Sequence, residues 1–326
     1  MNLLPMFAPI RADLEVVEAR MLSAVRETYE PLSSALQAIL ESGGKRLRPG
    51  LVILAARLHE WDPEPVVNLA AAVEMLHTAT LIHDDTIDEA RVRRGQQTLN
   101  ATWSRSATIL AGDYMFARAA ALAADTSNTR VTSIFAQTLM TICQGELRQM
   151  LSLCRWNGDL ADYYDRIYSK TASLFAASCQ AGAILGRAPE QNAQALQSYG
   201  EHLGMAFQIV DDILDFVGDE RHLGKPVGSD LRQGIATLPV YYYLQKGGQV
   251  ALVEAALDRT CPDRAAREQA VGDLVSAVLS SGAVDACRQE AARLTAQAAG
   301  DLAPLPAGPY RRALEELAAF VVSRDL

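Results

Sequence analysis

The stretches HTATLIHDDTID (residues 77–88) and FQIVDDILD (residues 207–215) decide the fold of this chain. Each runs as an apolar segment into the pattern DDxxD, whose outer aspartates are four residues apart. Residues four apart lie on one face of a helix, so Asp84 and Asp88 share a face of the first predicted helix. The apolar residues around both motifs predict that these helices belong to the core. Carboxylates in such surroundings need a cation, because burying an unpaired charge is costly.

The chemistry of the two motifs indicates magnesium. They offer hard carboxylate oxygens without histidine or cysteine ligands, and Mg²⁺ prefers such oxygens together with water and substrate phosphates. One DDxxD motif alone is as often a solvated helix end, whereas two of them, 127 residues apart and both in apolar helices, favour a shared site. Facing each other across a helical bundle, they would hold Mg²⁺ against a diphosphate. The predicted metal ligands are Asp84, Asp88, Asp211 and Asp215.

The rest of the chain predicts an all-α fold. Apolar residues recur three or four positions apart in segment after segment, and no alternating β-branched run bounded by turns predicts a sheet. Glycine, proline and polar breakers leave roughly ten to thirteen helices with short loops. Residues 107–124 and 174–185 are apolar on nearly all faces, which predicts helices inside the bundle. Since there is no long linker or internal repeat, we expect one large domain over residues 1–326.

Composition and charge exclude several classes of protein. The 326 residues carry a net charge of −9, which excludes a general nucleic-acid binder because such a protein needs a basic face. No stretch approaches the ~18 uninterrupted apolar residues of a membrane span. Residues 1–10 lack the features of a secretory signal. Five cysteines without CxxC spacing predict reduced thiols in a cytoplasmic protein.

The basic stretch GGKRLRP (residues 43–49) places two glycines before three cations at a predicted helix start, where backbone N–H groups favour an anion. Further cations follow the first acidic motif, at Arg93 and Arg94. Only four of the 30 basic residues are lysines, among them Lys170 and Lys225. Each cluster alone is equally well explained as a solvated turn. Acids that bind metal, separate cations and an otherwise apolar bundle together predict an enzyme that acts on hydrophobic diphosphates.

Six stretches of the sequence match a known family and occur in the family's order. They are GGKRLRP (43–49), HTATLIHDDTIDEARVRRG (77–95), LAGDYMFARA (110–119), CQGELRQ (143–149), YSKTASLF (168–175) and FQIVDDILDFVGDERHLGKPVGSDLRQGIATLP (207–239). Over essentially its whole length the chain resembles the trans-isoprenyl diphosphate synthases (polyprenyl synthetases) of the long-chain bacterial type. The resemblance implies a single polyprenyl synthetase domain, an all-α bundle that encloses a deep central cavity and forms a homodimer. It implies no membrane span, and only transient membrane contact for product release.

The resemblance also implies how the reaction proceeds and which side chains take part. Three Mg²⁺ ions on the four outer aspartates, supported by Asp85 and Asp212, would neutralise the allylic diphosphate so that its C–O bond ionises to an allylic cation. Oxygen dipoles of Thr171 and Gln208 would face that cation, and the released pyrophosphate would accept the proton. The implied residues of the isopentenyl diphosphate pocket, which binds no metal, are Lys45, Arg48, His77 and Arg94. The implied cationic contacts of the allylic diphosphate are Arg93, Lys170 and Lys225.

The length of the product is predicted from the helix that precedes the first acidic motif, along which the growing chain descends in this family. Ala79 and Thr80 are small, whereas a large aromatic residue there would stop the chain at least one helical turn, about 5.4 Å, earlier. Leu76 is not aromatic either, and Phe135 is the predicted floor. We predict a product of about seven or more isoprene units (C35 or longer) for a quinone side chain, with geranylgeranyl diphosphate as the alternative.

Two other kinds of protein share some of these features. A class I terpene cyclase also carries DDxxD, but its second metal motif is usually of another type and it needs no GGKRLRP pocket. It also needs an aromatic lining, which is thin in a chain with 6% aromatic residues. A non-catalytic partner subunit of a heteromer usually loses acids or lysines, and this chain keeps both. One departure is Ile235, where many shorter-chain relatives carry lysine, and we interpret it as one lost phosphate contact without loss of activity.

Overall fold

The computed structural model describes residues 4–26, 28–93, 95–152, 156, 158–218 and 226–323. Helices dominate these ranges, which confirms the predicted all-α class. They are a 3₁₀ helix (Pro5–Ile10), α1 (Arg11–Arg26), α2 (Leu32–Glu41), α3 (Leu47–Arg57), α4 (Pro63–Ile87), α5 (Leu99–Thr102), α6 (Arg105–Ala124), α7 (Thr129–Ser152), α8 (Leu160–Ile167), a π-helical turn (Tyr168–Ala172), α9 (Ser173–Leu185), α10 (Glu190–Val217), α11 (Ser229–Arg232), α12 (Leu238–Gln245), α13 (Val250–Leu257), α14 (Arg264–Ser280), α15 (Ala283–Asp301) and α16 (Pro309–Ser323). Two short strands, β1 (Val92–Arg93) and β2 (Gln96–Gln97), pair antiparallel in the loop after α4.

The chain divides into two compact units, of which the first is built around α4. This unit consists of Met1–Leu139, Leu174–Gly200 and Asp301–Leu317. In it, α4 packs against α1, α3 and α6. Helix α9 approaches α3 so closely that a Cβ added to Gly182 would lie 2.4 Å from the carbonyl oxygen of Val52. Only glycine allows this approach, which brings the backbones of the two helices together.

The apolar character of α4 is that of a core helix. By length and composition it could cross a membrane, with a mean hydropathy of 1.4 over its most apolar window. However, 78% of that window is buried inside the protein. Packing on several sides therefore explains why α4 is apolar on all its faces.

The second unit contains the C-terminal half of α10, where several apolar side chains are buried. It consists of Met140–Ser173, Glu201–Gly300 and Ala318–Leu326. Within it, α14 packs against α11, α12 and α13. Ile209, Ile213 and Phe216 are fully buried or nearly so, as their 3–4 spacing beside the second acidic motif predicts. The prediction of one domain over residues 1–326 stays a prediction.

Of the two helices expected inside the bundle, one is buried and one is half exposed. Residues 174–185 form most of α9, and nearly all of them are buried, which confirms that expectation. For residues 107–124 the expectation is wrong, because α6 buries only one side and exposes 40% of Ile109 and 66% of Leu110. Much of the outer face of α6 is alanine, which raises its hydropathy but offers little side-chain surface that needs burial.

Candidate active site

The first acidic motif forms the C-terminal end of α4, and its three aspartates lie in different surroundings. Asp84 is partly exposed and Asp88 is exposed, whereas Asp85 is buried. The carboxylate of Asp85 accepts a hydrogen bond of 2.8 Å from Nε of Arg93, in strand β1. The expectation that the whole motif is buried is therefore wrong for the outer pair. The buried carboxylate has a protein cation as its partner, and the outer pair stays accessible to a ligand.

The second acidic motif, near the C-terminal end of α10, repeats this division. Asp211 and Asp215 are partly exposed, and only 3% of Asp212 is accessible. The two oxygens of Asp212 accept hydrogen bonds from the Tyr163 hydroxyl, at 2.8 Å, and from Nε2 of Gln208, at 2.9 Å. Burial raises the pKa of the Asp212 carboxyl to about 8, and the charge of Asp230 adds to this rise. The hydrogen bonds from Gln208 and Tyr163 act in the opposite direction without cancelling it.

Asp215 also caps a helix, which its local sequence does not predict. Its two carboxylate oxygens accept hydrogen bonds from the backbone N–H groups of Ser229 and Asp230, each at 3.1 Å. These are the first two residues of α11, so the carboxylate caps that helix. Gly228, at φ +74, turns the chain into the helix in the left-handed conformation that glycine adopts without strain. The stretch Gly-Ser-Asp at 228–230 is typical of a helix start, but the carboxylate that caps this helix lies 14 residues earlier in the chain.

Thr171 and Lys170 lie in the π-helical turn between α8 and α9. The Thr171 hydroxyl donates a hydrogen bond of 2.7 Å to Oε1 of Gln208, which brings the two predicted oxygen dipoles together. Nζ of Lys170 lies 2.8 Å from a carboxylate oxygen of Glu146 on α7. Single π-helical turns occur frequently at functional sites.

Close approach of α7 to this turn depends on Gly145. A Cβ at that position would lie 2.5 Å from Cβ of Ser169. The glycine next to Glu146 in the stretch CQGELRQ therefore lets α7 come near enough for the ion pair with Lys170.

The basic stretch 43–49 bends into α3 through Arg46, whose role the local sequence does not predict. Arg46 adopts φ 50 and is buried. Its guanidinium lies 3.0 Å from Glu18 and 3.0 Å from Glu74, and it donates a hydrogen bond of 2.8 Å to the carbonyl oxygen of Leu40. A buried cation could have been predicted from Glu74, because a carboxylate in the middle of an apolar helix needs a cation as its partner.

Arg46 separates two cations with different environments. Lys45 is exposed, and Arg48 is partly exposed with its guanidinium 5.1 Å from the centre of the Phe175 ring. His77 lies partly exposed on α4, which packs against α3.

Four further predictions concern positions after the acidic motifs. Arg94 and Lys225 lie outside the residues that the structure describes. Arg93 is predicted to contact a diphosphate. In the structure, its guanidinium donates the hydrogen bond to Asp85 that is described above. Ile235 is partly exposed, and its backbone N–H donates to the carbonyl oxygen of Asp230 at 2.9 Å.

An apolar cavity lies between α4, α7 and α9 in the first unit. Its volume is about 10 Å³, which is room for about one water molecule. Phe135, the predicted floor, lines it together with Leu69 and Val73 of α4. Leu76 and Ala79, which follow on the same helix, are fully buried, and Thr80 is partly exposed. Among the described residues that line the cavity, Thr138 alone is polar, and its hydroxyl donates to the carbonyl oxygen of Ile134.

The donor set of the acidic motifs fits a magnesium ion that also binds substrate. In the described ranges, no three side chains of histidine, cysteine, aspartate or glutamate cluster closely enough to hold a metal by themselves. Each motif supplies two carboxylates one turn apart on a helix. Mg²⁺ at phosphate-handling sites takes one or two carboxylates and completes its shell with water and phosphate oxygens. The accessible outer pairs meet that requirement.

Comparison with known proteins decides the family. The family model for polyprenyl synthetases matches residues 29–274, which include both acidic motifs and the basic stretch. The chain belongs to this family. Component 2 of the heptaprenyl diphosphate synthase of Geobacillus stearothermophilus is 40% identical over 325 residues, covering 100% of both chains. The octaprenyl diphosphate synthase of Escherichia coli K12 is 34% identical and covers 96% of both.

A solved structure extends this polyprenyl synthetase likeness to the fold. The crystal structure of a polyprenyl synthase from Caulobacter crescentus CB15, complexed with calcium and isoprenyl diphosphate, has a TM-score of 0.90 and 37% sequence identity. The match covers 98% of this chain and 97% of that one. The family, the all-α fold and the long-chain type that the motifs predicted are thereby confirmed.

Proposed function

We propose that this protein condenses isopentenyl diphosphate head-to-tail with an allylic diphosphate, in a Mg²⁺-dependent reaction that yields a long all-trans polyprenyl diphosphate. The observation that carries the proposal is the division within both acidic motifs. The middle aspartates are buried and paired with protein groups, while the outer aspartates remain accessible. An enzyme that holds metal on a soluble diphosphate needs accessible carboxylates on rigid helices.

In this reaction the outer aspartates bind three Mg²⁺ ions on the allylic diphosphate, and the metal supplies the charge that stabilises the leaving group. The accessible ammonium group of Lys170 also contacts this diphosphate, as do Arg93 and Lys225. Thr171 and Gln208 present oxygen dipoles to the allylic cation. Their direct hydrogen bond supports a joint role, because it fixes the direction of both dipoles.

Isopentenyl diphosphate binds to the cations around the start of α3. The proposed pocket consists of Lys45, Arg48, His77 and Arg94. The buried Arg46 supports this assignment, since its three contacts fix the backbone between Lys45 and Arg48 before substrate binds. The pocket binds its diphosphate without metal, as its purely cationic and imidazole groups require.

The product is a chain of about seven or more isoprene units, destined for a quinone side chain. Two observations support this length. The cavity lined by Phe135 is apolar and lies beyond Leu76 and Ala79 on α4. The similar protein from Geobacillus stearothermophilus is named as component 2 of a heptaprenyl diphosphate synthase, and that from Escherichia coli K12 as an octaprenyl diphosphate synthase. Termination at C20 would instead identify a geranylgeranyl diphosphate synthase.

The protein acts as a homodimer in the cytoplasm, and α7 provides the interface. Met140, Leu147 and Leu151 recur on one face of this helix and are 50%, 58% and 79% exposed. Leu147→Glu should convert a dimer to a monomer in size-exclusion chromatography with light scattering. Val250→Glu is the control, since Val250 is 47% exposed on α13. A wild-type chain that is monomeric, and inactive until a second subunit is added, would contradict the homodimer.

One experiment tests the activity as a whole. Purified protein is incubated with Mg²⁺, labelled isopentenyl diphosphate and one allylic primer at a time, and the dephosphorylated products are sized. Elongated chains ending at about C35 or beyond are expected. Cyclic hydrocarbons formed without isopentenyl diphosphate would identify a terpene cyclase. No product from any primer would refute the proposed function of the chain alone.

A further inference from the structure

A continuous line of hydrogen bonds joins the middle of the second acidic motif to the proposed cation site. The Tyr163 hydroxyl donates to Oδ2 of Asp212, Oδ1 of Asp212 accepts from Nε2 of Gln208, and Oε1 of Gln208 accepts from the Thr171 hydroxyl. The three distances are 2.8, 2.9 and 2.7 Å. All four residues lie in the second unit, and Tyr163 and Asp212 are almost completely buried.

The order of donors along this line fixes the orientation of the Gln208 amide. A glutamine amide has an acceptor end and a donor end, and the two have nearly the same shape. Because the nitrogen of Gln208 must face the accepting oxygen of Asp212, its oxygen faces Thr171. The Thr171 hydroxyl then donates its hydrogen bond to Gln208, so the lone pairs of the Thr171 oxygen point away from Gln208. A reversed amide would present N–H groups toward Thr171 and would place positive dipole ends beside a developing cation.

Tyr163 determines which oxygen of Asp212 is left for Gln208. Its hydroxyl occupies Oδ2, so Oδ1 remains the acceptor for the amide whether or not the carboxyl carries a proton on Oδ2. The ring holds this hydroxyl rigidly, since it packs 5.7 Å from the Tyr241 ring and 5.4 Å from the Tyr164 ring, measured between centroids. In the absence of the hydroxyl, Oδ2 would be a buried acceptor without that bond, and the carboxyl could turn or offer a proton to Gln208.

We propose that Tyr163 is a positioning residue for the condensation: through Asp212 it holds the Gln208 amide with its oxygen toward Thr171, and so sets the oxygen dipoles that face the allylic cation. This inference rests on the proposed function, since it concerns the step that forms the cation. Tyr163 itself lies behind Asp212 and acts through it.

The test is a comparison of two adjacent tyrosines combined with a double-mutant cycle. Tyr163→Phe should lower kcat about tenfold, the size of effect that one misplaced hydrogen bond produces, while KM for both substrates stays within about twofold. Tyr164→Phe is the matched control, because its hydroxyl bonds to Glu290 at 3.1 Å. It should leave kcat and KM unchanged. Gln208→Met is then added to each variant, and the coupling between the two changes is measured.

If Tyr163 acts through Gln208, Tyr163→Phe should have no further effect on kcat in the Gln208→Met background. An effect that persists in full there, or a wild-type kcat for Tyr163→Phe, would overturn the inference. Circular dichroism and thermal melting check the fold, and if Tyr163→Phe does not fold, Asp212→Ala replaces it in the same cycle with the same expected coupling. A wild-type protein without condensation activity would remove the proposed function and this inference together, whereas an active wild type with an additive cycle removes only the inference.

Discussion

Replacement of Ala79 by tyrosine should shorten the product. Ala79 is fully buried on α4, five residues before Asp84, which corresponds to about 7.5 Å along the helix axis. Val73 and Leu69, which line the apolar cavity, precede Asp84 by 11 and 15 residues, or about 16 and 22 Å. A ring at position 79 would therefore leave about one third to one half of the path to the cavity.

For wild-type products of about C35 to C45, that proportion corresponds to about C12 to C22, so mainly C15 to C20 products are expected. The assay is the product ladder from labelled isopentenyl diphosphate, read by reversed-phase chromatography after dephosphorylation. Val73→Phe is the graded companion, because its ring would enter the path deeper and should give chains of intermediate length.

Two results would refute this reasoning. An unchanged ladder with wild-type turnover would show that the growing chain does not pass position 79. A variant without fold or activity would show that position 79 belongs to closed core, where a forced ring costs about 1–3 kcal/mol or more. Thermal melting, measured alongside the ladder, separates the two results.

Four further predictions concern other residues of the proposed function. Asp84→Ala and Asp211→Ala should each abolish condensation with an unchanged circular dichroism spectrum, because each removes a proposed Mg²⁺ ligand; EDTA should do so reversibly, and undiminished turnover in any of these tests would contradict the metal assignment. Lys45→Ala should raise KM for isopentenyl diphosphate more than for the primer, as loss of a ground-state contact does, and the opposite selectivity would reverse the two pockets. Phe135→Ala should lengthen the products by one or more units and cost about 3–5 kcal/mol of stability; a lower melting temperature without longer products would exclude Phe135 as the floor. Burial raises the pKa of Asp212 from 3.8 to about 8, so between these pH values the folded protein keeps a proton that the unfolded chain has released. The free energy of unfolding of the metal-free protein should therefore fall as pH rises through this window. Asp212→Asn should flatten this pH dependence of the melting temperature.

The local features of the site could be predicted from the sequence because they depend on residues close together in the chain. The apolar spacing around Asp84 and Asp211 predicted two core helices, and the four-residue separation within each motif placed the outer aspartates on one face. The Gly-Gly-Lys-Arg stretch at 43–46 likewise predicted a turn into a helix, and α3 begins directly after it.

The partners of the buried groups could not be predicted in this way, because they come from distant segments. Tyr163 and Asp212 are 49 residues apart, and Arg46 and Glu74 are 28 apart, and nothing in their local patterns connects them. The sequence also could not assign a partner to an apolar helix face. Residues 107–124 have the composition of an internal helix, yet one side of α6 is exposed in the part of the chain that the structure describes.

The buried contacts of Arg46 have a consequence for how the start of α3 moves. Opening this segment would leave Glu74 buried without its cation and would release the carbonyl oxygen of Leu40 at the same time. The backbone N–H of Gly50, which donates to the carbonyl oxygen of Arg46 at 3.0 Å, should therefore exchange with deuterium only when the unit around it unfolds. A diphosphate that binds at residues 46–50 would not have to order this backbone, because folding has already ordered it. Deuterium uptake at these residues should then be the same with and without isopentenyl diphosphate, whatever changes it causes elsewhere in the chain.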